Sequence, residues 1–286
     1  MKKNNLSGLA CMLALAVSIL GTTSAHADEH YHFSTITLAA THDDDPDPVT
    51  GLGTNSGNQF TAQFEHFGVT NWGYFYFDSE TYIGHHVGSL EPYGNNGAAF
   101  QTFANVTPGI SLSKITGHSF THGLLSDVSL IADVRAASYY HYAAGGIGLS
   151  LNFAVPGFDW FETGVLTQDS WWDVQPGTGN SNTGKDYRLD KHKWLWRTYL
   201  ISKPIDIGSQ RFNYVLFSFI NTSGNGDQNR HGIEYFVRND FTWEIGGHSD
   251  YQVGVRFEYS QHAISPILGG NTFKRNVPYL IFKATL

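Results

Sequence analysis

Nine side chains could act together on a small polar molecule: Glu65, Tyr74, Tyr76, Asp78, Arg197, Phe217, Arg238, Arg256 and Glu258. The set is two tyrosines and a phenylalanine mixed with three carboxylates and three guanidiniums. Aromatic rings offer flat apolar faces on which a planar solute can stack, while the charged groups hydrogen-bond its edges and hydroxyls. That chemistry suits flat, polar, uncharged solutes. The alternative is that the rings only fill a narrow interior or mark its rim.

Such residues can meet only if the chain holds them on one face, and the local patterns are those of strands. After residue 27, segments of about ten residues alternate polar and apolar, with Gly, Asn, Asp and Pro between them. The expected strands are 31–41, 58–68, 72–79, 99–107, 124–136, 144–154, 158–170, 191–202, 210–221, 232–244, 251–262 and 276–286. Gaps after odd-numbered strands are mostly long and gaps after even-numbered strands mostly short. The exception is 108–123, where Pro108 interrupts an extended stretch. Twelve strands with this asymmetry predict a single all-β, antiparallel transmembrane barrel, with short periplasmic turns and longer extracellular loops. A soluble β-sandwich would show no such alternation of turn length. Ala136–Phe158 has no Asp, Glu, Lys or Arg, as a spanning helix would. Its glycines, Pro156 and period-two alternation make it a hairpin instead.

Strand parity then assigns the faces. Tyr251, Val253, Val255, Phe257 and Tyr259 form one side of the eleventh strand, and Gln252, Gly254, Arg256, Glu258 and Ser260 the other. In the eighth strand Trp194 and Trp196 oppose Lys193 and Arg197, and in the tenth Tyr235 and Val237 oppose Glu234 and Arg238. The apolar faces end in Trp and Tyr, as interfacial girdles do. Opposite faces carrying both signs of charge are too costly for a dry core if unpaired, and are expected to line a wet lumen.

Composition agrees with a barrel and excludes other classes. Charged residues make up 15% and aromatics 15% of 286 residues, and the formal net charge is −8. That charge repels phosphate backbones, so nucleic acid is not an expected partner. A mean hydropathy of −0.24 rules out a multi-helix membrane protein. Lys2 and Lys3, the apolar run Leu6–Leu20 and the small residues Ala25 and Ala27 are the three parts of a secretory signal peptide, 1–27. Cleavage near Ala27 would remove the one cysteine, Cys11, and leave a barrel domain, 28–286. The expected location is the outer membrane of a Gram-negative bacterium.

Three segments carry a family likeness. Gln63-Phe64-Glu65-His66-Phe67 followed by Asn71-Trp72-Gly73-Tyr74-Phe75-Tyr76-Phe77-Asp78 resembles the early signature of the Tsx-like nucleoside-specific channel family. Pro108–Gly117 and Ala154–Phe161 look like two later segments of it, in order. The resemblance implies a 12-stranded outer-membrane channel over 28–286 that passes nucleosides passively and without a cofactor. It also implies contact with lipopolysaccharide, insertion by the barrel-assembly machinery and possible use as a phage receptor. Of the nine lining residues, Glu65 and Asp78 fall within the matched motif, and the rest come from parity. The sequence departs from the family's pattern at Trp72-Gly73-Tyr74, which lacks an Asp, and at the terminal Leu286.

Other constellations carry less. Gly179–Lys185 approximates a phosphate-binding loop, but Asp186 stands where Ser or Thr is needed and no strand–helix frame surrounds it. His85, His86, His118, His122, His141 and His262 have no metal-ligand spacing on a rigid element. Asp43, Asp44, Asp45 and Asp47 form an acidic loop, read as solvated. Gly117-His118-Ser119, with Asp127 or Asn105, is the raw material for a hydrolase, but adjacent His and Ser on a strand point apart. The reading is therefore non-enzymatic: a channel, or a closed barrel whose loops serve as an adhesion or receptor surface.

Overall fold

A computed structural model describes residues 31–43, 57–84, 100–137, 142–173, 187–222, 225–226, 233–247, 250–263 and 272–286. The signal segment, residues 44–47 of the acidic run, His85, His86, His141 and the 179–185 loop lie outside the described residues. Twelve strands run in order: β1 Tyr31–Asp43, β2 Gly57–Val69, β3 Gly73–Gly84, β4 Phe100–Ser111, β5 Leu125–Ala137 and β6 Ala143–Phe153. They continue as β7 Phe158–Asp173, β8 Tyr187–Ser202, β9 Gln210–Asn221, β10 Glu234–Glu244, β11 Tyr251–Ala263 and β12 Thr272–Thr285. Each pairs antiparallel with its sequence neighbours, and β12 pairs back on β1, so the sheet closes into a ring. The short β segments Ile205–Ile207 and Asn225–Gly226 extend β9 and β8 at opposite ends.

Closure gives every strand a paired neighbour on both sides, the arrangement that lets strands cross a bilayer. The alternation then decides what faces lipid. Leu38, Phe60, Ile147, Leu149, Trp194, Trp196, Phe257 and Leu280 are exposed on the outside, while their strand neighbours are buried and largely polar. An outside that is apolar around an inside that is charged is the arrangement of a membrane barrel. Polar atoms on the outer wall find partners there. Trp196 Nε1 donates to Thr163 Oγ1 at 2.8 Å, Trp243 Nε1 to Gln210 Oε1 at 2.6 Å and the Tyr214 hydroxyl to Asn239 Oδ1 at 2.8 Å.

Several boundaries move from the sequence expectation. β3 continues five residues past 79, to Gly84. β4 runs through Pro108 to Ser111, because the proline interrupts only the β4–β5 ladder, where no partner is formed between Val106↔Val134 and Gly109↔Ile131. The remainder of the 108–123 stretch is not strand but a single helical turn, α1 (Leu112–Thr116). Ser111 caps it by accepting from Lys114 N at 3.1 Å, and Gly117 ends it at φ 72°. His118 and Ser119 therefore lie in the exposed segment after α1 rather than on a strand, and the Ser119 hydroxyl meets Thr121 at 2.6 Å. Asp127 bonds Ser111 and the Ser113 N–H, away from that pair.

Candidate functional site: the barrel lumen

All nine predicted lining residues sit on inward-facing positions, yet the lumen divides them among four environments. Asp78, Phe217 and Arg238 border a narrow cavity of about 80 Å³, partly open to solvent, in the half of the barrel nearer the long connections. Phe217, Phe219 and Phe236 form a ring wall there. Phe219 stacks on Phe236 with centroids 5.4 Å apart, and Phe217 lies 6.3 Å from Phe236. Facing them are Glu80 and Tyr82 of β3, with the Asn105 and Asn221 amides at the sides. Arg135 lies over the Phe219 ring at 4.5 Å, a cation–π contact.

Charges around this cavity are already matched. Arg238 of β10 makes a bidentate pair with Glu80 of β3, at 2.6 and 2.9 Å, and its Nε donates to Glu258 at 2.8 Å. Since β3 and β10 are not neighbours in the ring, this pair bridges the lumen. Arg135 pairs with Asp133 at 2.6 Å, and Lys193 lies 3.8 Å from Glu234. A lining whose charges of both signs balance offers rings and amides to a neutral solute without a net charge of either sign.

Glu65, Arg256 and Glu258 belong to an ion lattice rather than to the cavity wall. Arg256 donates to Asp240 at 2.7 and 2.8 Å and to Gln63 at 2.6 Å, and Gln63 in turn donates to Asp78 at 2.9 Å. Lys283 stands 3.8 Å from both Glu65 and Asp240. Arg275 donates to Glu258 at 2.9 Å. Opposite charges within the wall lower the burial cost of these ions, while Asp78 and Glu244 accept from the Gln63 and Asn213 amides.

Tyr74 and Tyr76 form a third environment, closing the end where the turns are short. With Phe67, Trp160 and Tyr199 they build a ring cluster: Phe67–Trp160 at 4.9 Å, Tyr74–Trp160 at 5.1 Å and Tyr76–Tyr199 at 5.0 Å. Gly109 makes room for it, since a Cβ there would fall 2.1 Å from the Tyr74 ring. Arg197 stands apart from the cavity and the lattice. Its guanidinium is 3.9 Å from Glu162 and 4.0 Å from Asp133, too long for hydrogen bonds.

Sequence reasoning missed Glu80, Tyr82, Phe219 and Phe236. The signal was parity: Glu80 and Tyr82 follow Asp78 by two and four residues, but the third strand was expected to stop at 79. Phe219 and Phe236 share the parity of Phe217 and Arg238. Among the described residues no group of three or more His, Cys, Asp or Glu could hold a metal ion.

No family model and no curated protein matches the chain, so the Tsx-like likeness rests on the quoted strings alone. Solved structures that align with it include a channel and a porin. One is the outer membrane channel DcaP of Acinetobacter baumannii, at 10% identity and TM-score 0.35, covering 92% of this chain and 98% of that one. Another is a BenF-like porin from Pseudomonas fluorescens Pf-5, at 10% identity and TM-score 0.24, covering 89% and 98%.

Proposed function

We propose that this chain is a Gram-negative outer-membrane channel for passive diffusion of small, neutral, polar solutes, with nucleosides as the class to test first. The observation that carries the reading is the cavity in which the Phe217, Phe219 and Phe236 rings stand beside Arg238 and across from its partner Glu80. A planar solute entering from the long-loop side stacks on the rings and exchanges hydrogen bonds with Asn105, Asn221 and Asp78. Onward passage requires the Glu80–Arg238 bridge and then the Tyr74–Tyr76–Trp160 cluster to yield, so flux is set by weak binding followed by side-chain rearrangement. Nothing in this scheme uses a cofactor or breaks a bond. Export through the 1–27 signal, cleavage near Ala27, insertion by the barrel-assembly machinery and contact with lipopolysaccharide belong to the same proposal.

Single-channel conductance of the refolded 28–286 protein in a planar bilayer, titrated with adenosine, thymidine and glucose, tests it. Conductance steps blocked by nucleosides and not by glucose support both pore and site. Steps indifferent to nucleosides keep the channel and discard that solute class. Folded protein that gives no steps discards the channel. The ring cluster across the short-turn end favours a second reading in that case: a closed barrel whose loops act as a receptor surface, for phage among other partners.

A further inference from the structure

The ring closes least completely between β1 and β12. Their ladder runs only from Thr35↔Thr285 to Ala40↔Leu280. Both strands continue beyond it toward the long-loop end. β1 stays paired with β2 through Asp43, and β12 with β11 back to Thr272. The next facing positions would be Thr41 with Tyr279 and His42 with Pro278. Pro278 has no N–H, and its carbonyl accepts from the Thr41 hydroxyl at 2.6 Å. In a strand the N–H and C=O of one residue point the same way, so the missing donor is on the β1 side and the ladder ends there.

Beyond that stop lies a recess of about 610 Å³, partly open, on the outer wall. Phe60, Val255, Leu280 and Ala40 make its apolar lining, and Phe60 and Leu280 are also exposed members of the lipid-facing belt. Tyr279 forms its floor, facing inward, where Gln59 donates to its hydroxyl at 3.3 Å and Arg275 bonds it too. That tyrosine separates the recess from the lumen lattice. At the upper edge His42 bonds Asn58 at 3.1 Å, and Lys274 is exposed on the outward parity of β12. Four residues of strand place Lys274 about 13 Å above Pro278.

Resting on the outer-membrane placement, we propose that this unzipped seam is a specific lipid site, taking one acyl chain of a phosphate-bearing lipid of the outer leaflet. The recess is continuous with the belt that already faces acyl chains; His42 lies at its edge and Lys274 higher on the same seam, and both can donate to a phosphate. A polypeptide strand fits less well. Pro278 gives it no donor from β12 at the centre of the gap, and the lining toward the membrane is apolar.

Native mass spectrometry of the detergent-purified 28–286 protein with bis-phosphorylated hexa-acyl lipid A as probe tests this. Pro278→Val restores the missing donor, lets the ladder reach His42 and narrows the recess, so lipid A affinity should fall about tenfold or more. Val255→Trp fills the recess and should do the same if the first variant does not fold, folding being judged by heat-modifiable gel mobility. Lys274→Gln should weaken bis-phosphorylated lipid A and leave the dephosphorylated lipid unchanged. Folded Pro278→Val and Val255→Trp proteins that bind lipid A like the parent would overturn the site. So would a dimer of the parent that Pro278→Val abolishes, which would assign the gap to strand pairing between copies. Vesicle flotation separates the two proposals: protein that does not float fails the membrane reading, whereas protein that floats and conducts but binds lipid indifferently fails only this one.

Discussion

Arg238 shows how much one lumen side chain does. It is buried, and its guanidinium holds Glu80 across the lumen and Glu258 on the adjacent strand. Replacing it by Ala would leave Glu80 buried without its opposite charge, while Arg275 still holds Glu258, a change that typically destabilises by about 3–5 kcal/mol. Glu80→Gln alone should be milder, because the amide can still accept from Arg238. A double-mutant cycle on Glu80→Ala and Arg238→Ala, read as the urea midpoint of the folded gel band, should give a coupling of at least about 1.5 kcal/mol. Additive effects would show that the bridge is not formed. This pair was half legible in the sequence. Parity placed Arg238 in the lumen, but its partner was lost when β3 was read as ending at 79. Glu80-Thr81-Tyr82-Ile83 keeps the alternation, yet only Ile83 is strongly apolar on its outer face, so the contrast that marks a strand fades near the rim.

At the level of elements, the strands and their order were readable because alternation over twelve segments leaves little choice of register. What the alternation could not give was the filling. The same inward parity holds for Tyr74, which closes one end, and Asp78, which borders the cavity, because packing across the lumen depends on non-neighbouring strands. Even between neighbours the filling depends on the residue met across the ladder: Gly109 lies on β4 opposite Tyr74 of β3 and leaves the space that the tyrosine ring occupies. Gly109→Ala should push that ring out of the Phe67–Trp160 cluster and destabilise by about 1–3 kcal/mol. If the cluster limits flux, the same variant should raise the single-channel conductance. Tyr74→Ala in the Gly109→Ala background should then add little to either effect, because the ring is already displaced. Equal and independent effects of the two changes would separate Gly109 from the cluster.

For the whole molecule the defining property is the inversion of polarity, and tryptophans report it. Trp194, Trp196 and Trp243 are on the outer wall, at 59%, 53% and 36% exposure, whereas Trp160 packs against Phe67 and Tyr74 inside. Bromine on a lipid acyl chain quenches an indole only within contact range. Proteins that retain one tryptophan each, with Phe elsewhere, can therefore be compared in vesicles of ordinary and brominated phosphatidylcholine. Trp194, Trp196 and Trp243 should lose most of their emission in the brominated lipid, and Trp160 should keep nearly all of it. Bromination close to the chain terminus and close to the headgroup should rank the three outer indoles by depth, giving the height of each strand in the bilayer. A quenched Trp160 beside unquenched outer tryptophans would mean that the apolar face packs inward, as in a soluble sandwich. Equal quenching of all four would mean that lipid reaches the lumen, and the Tyr74–Trp160 cluster would then not seal the short-turn end.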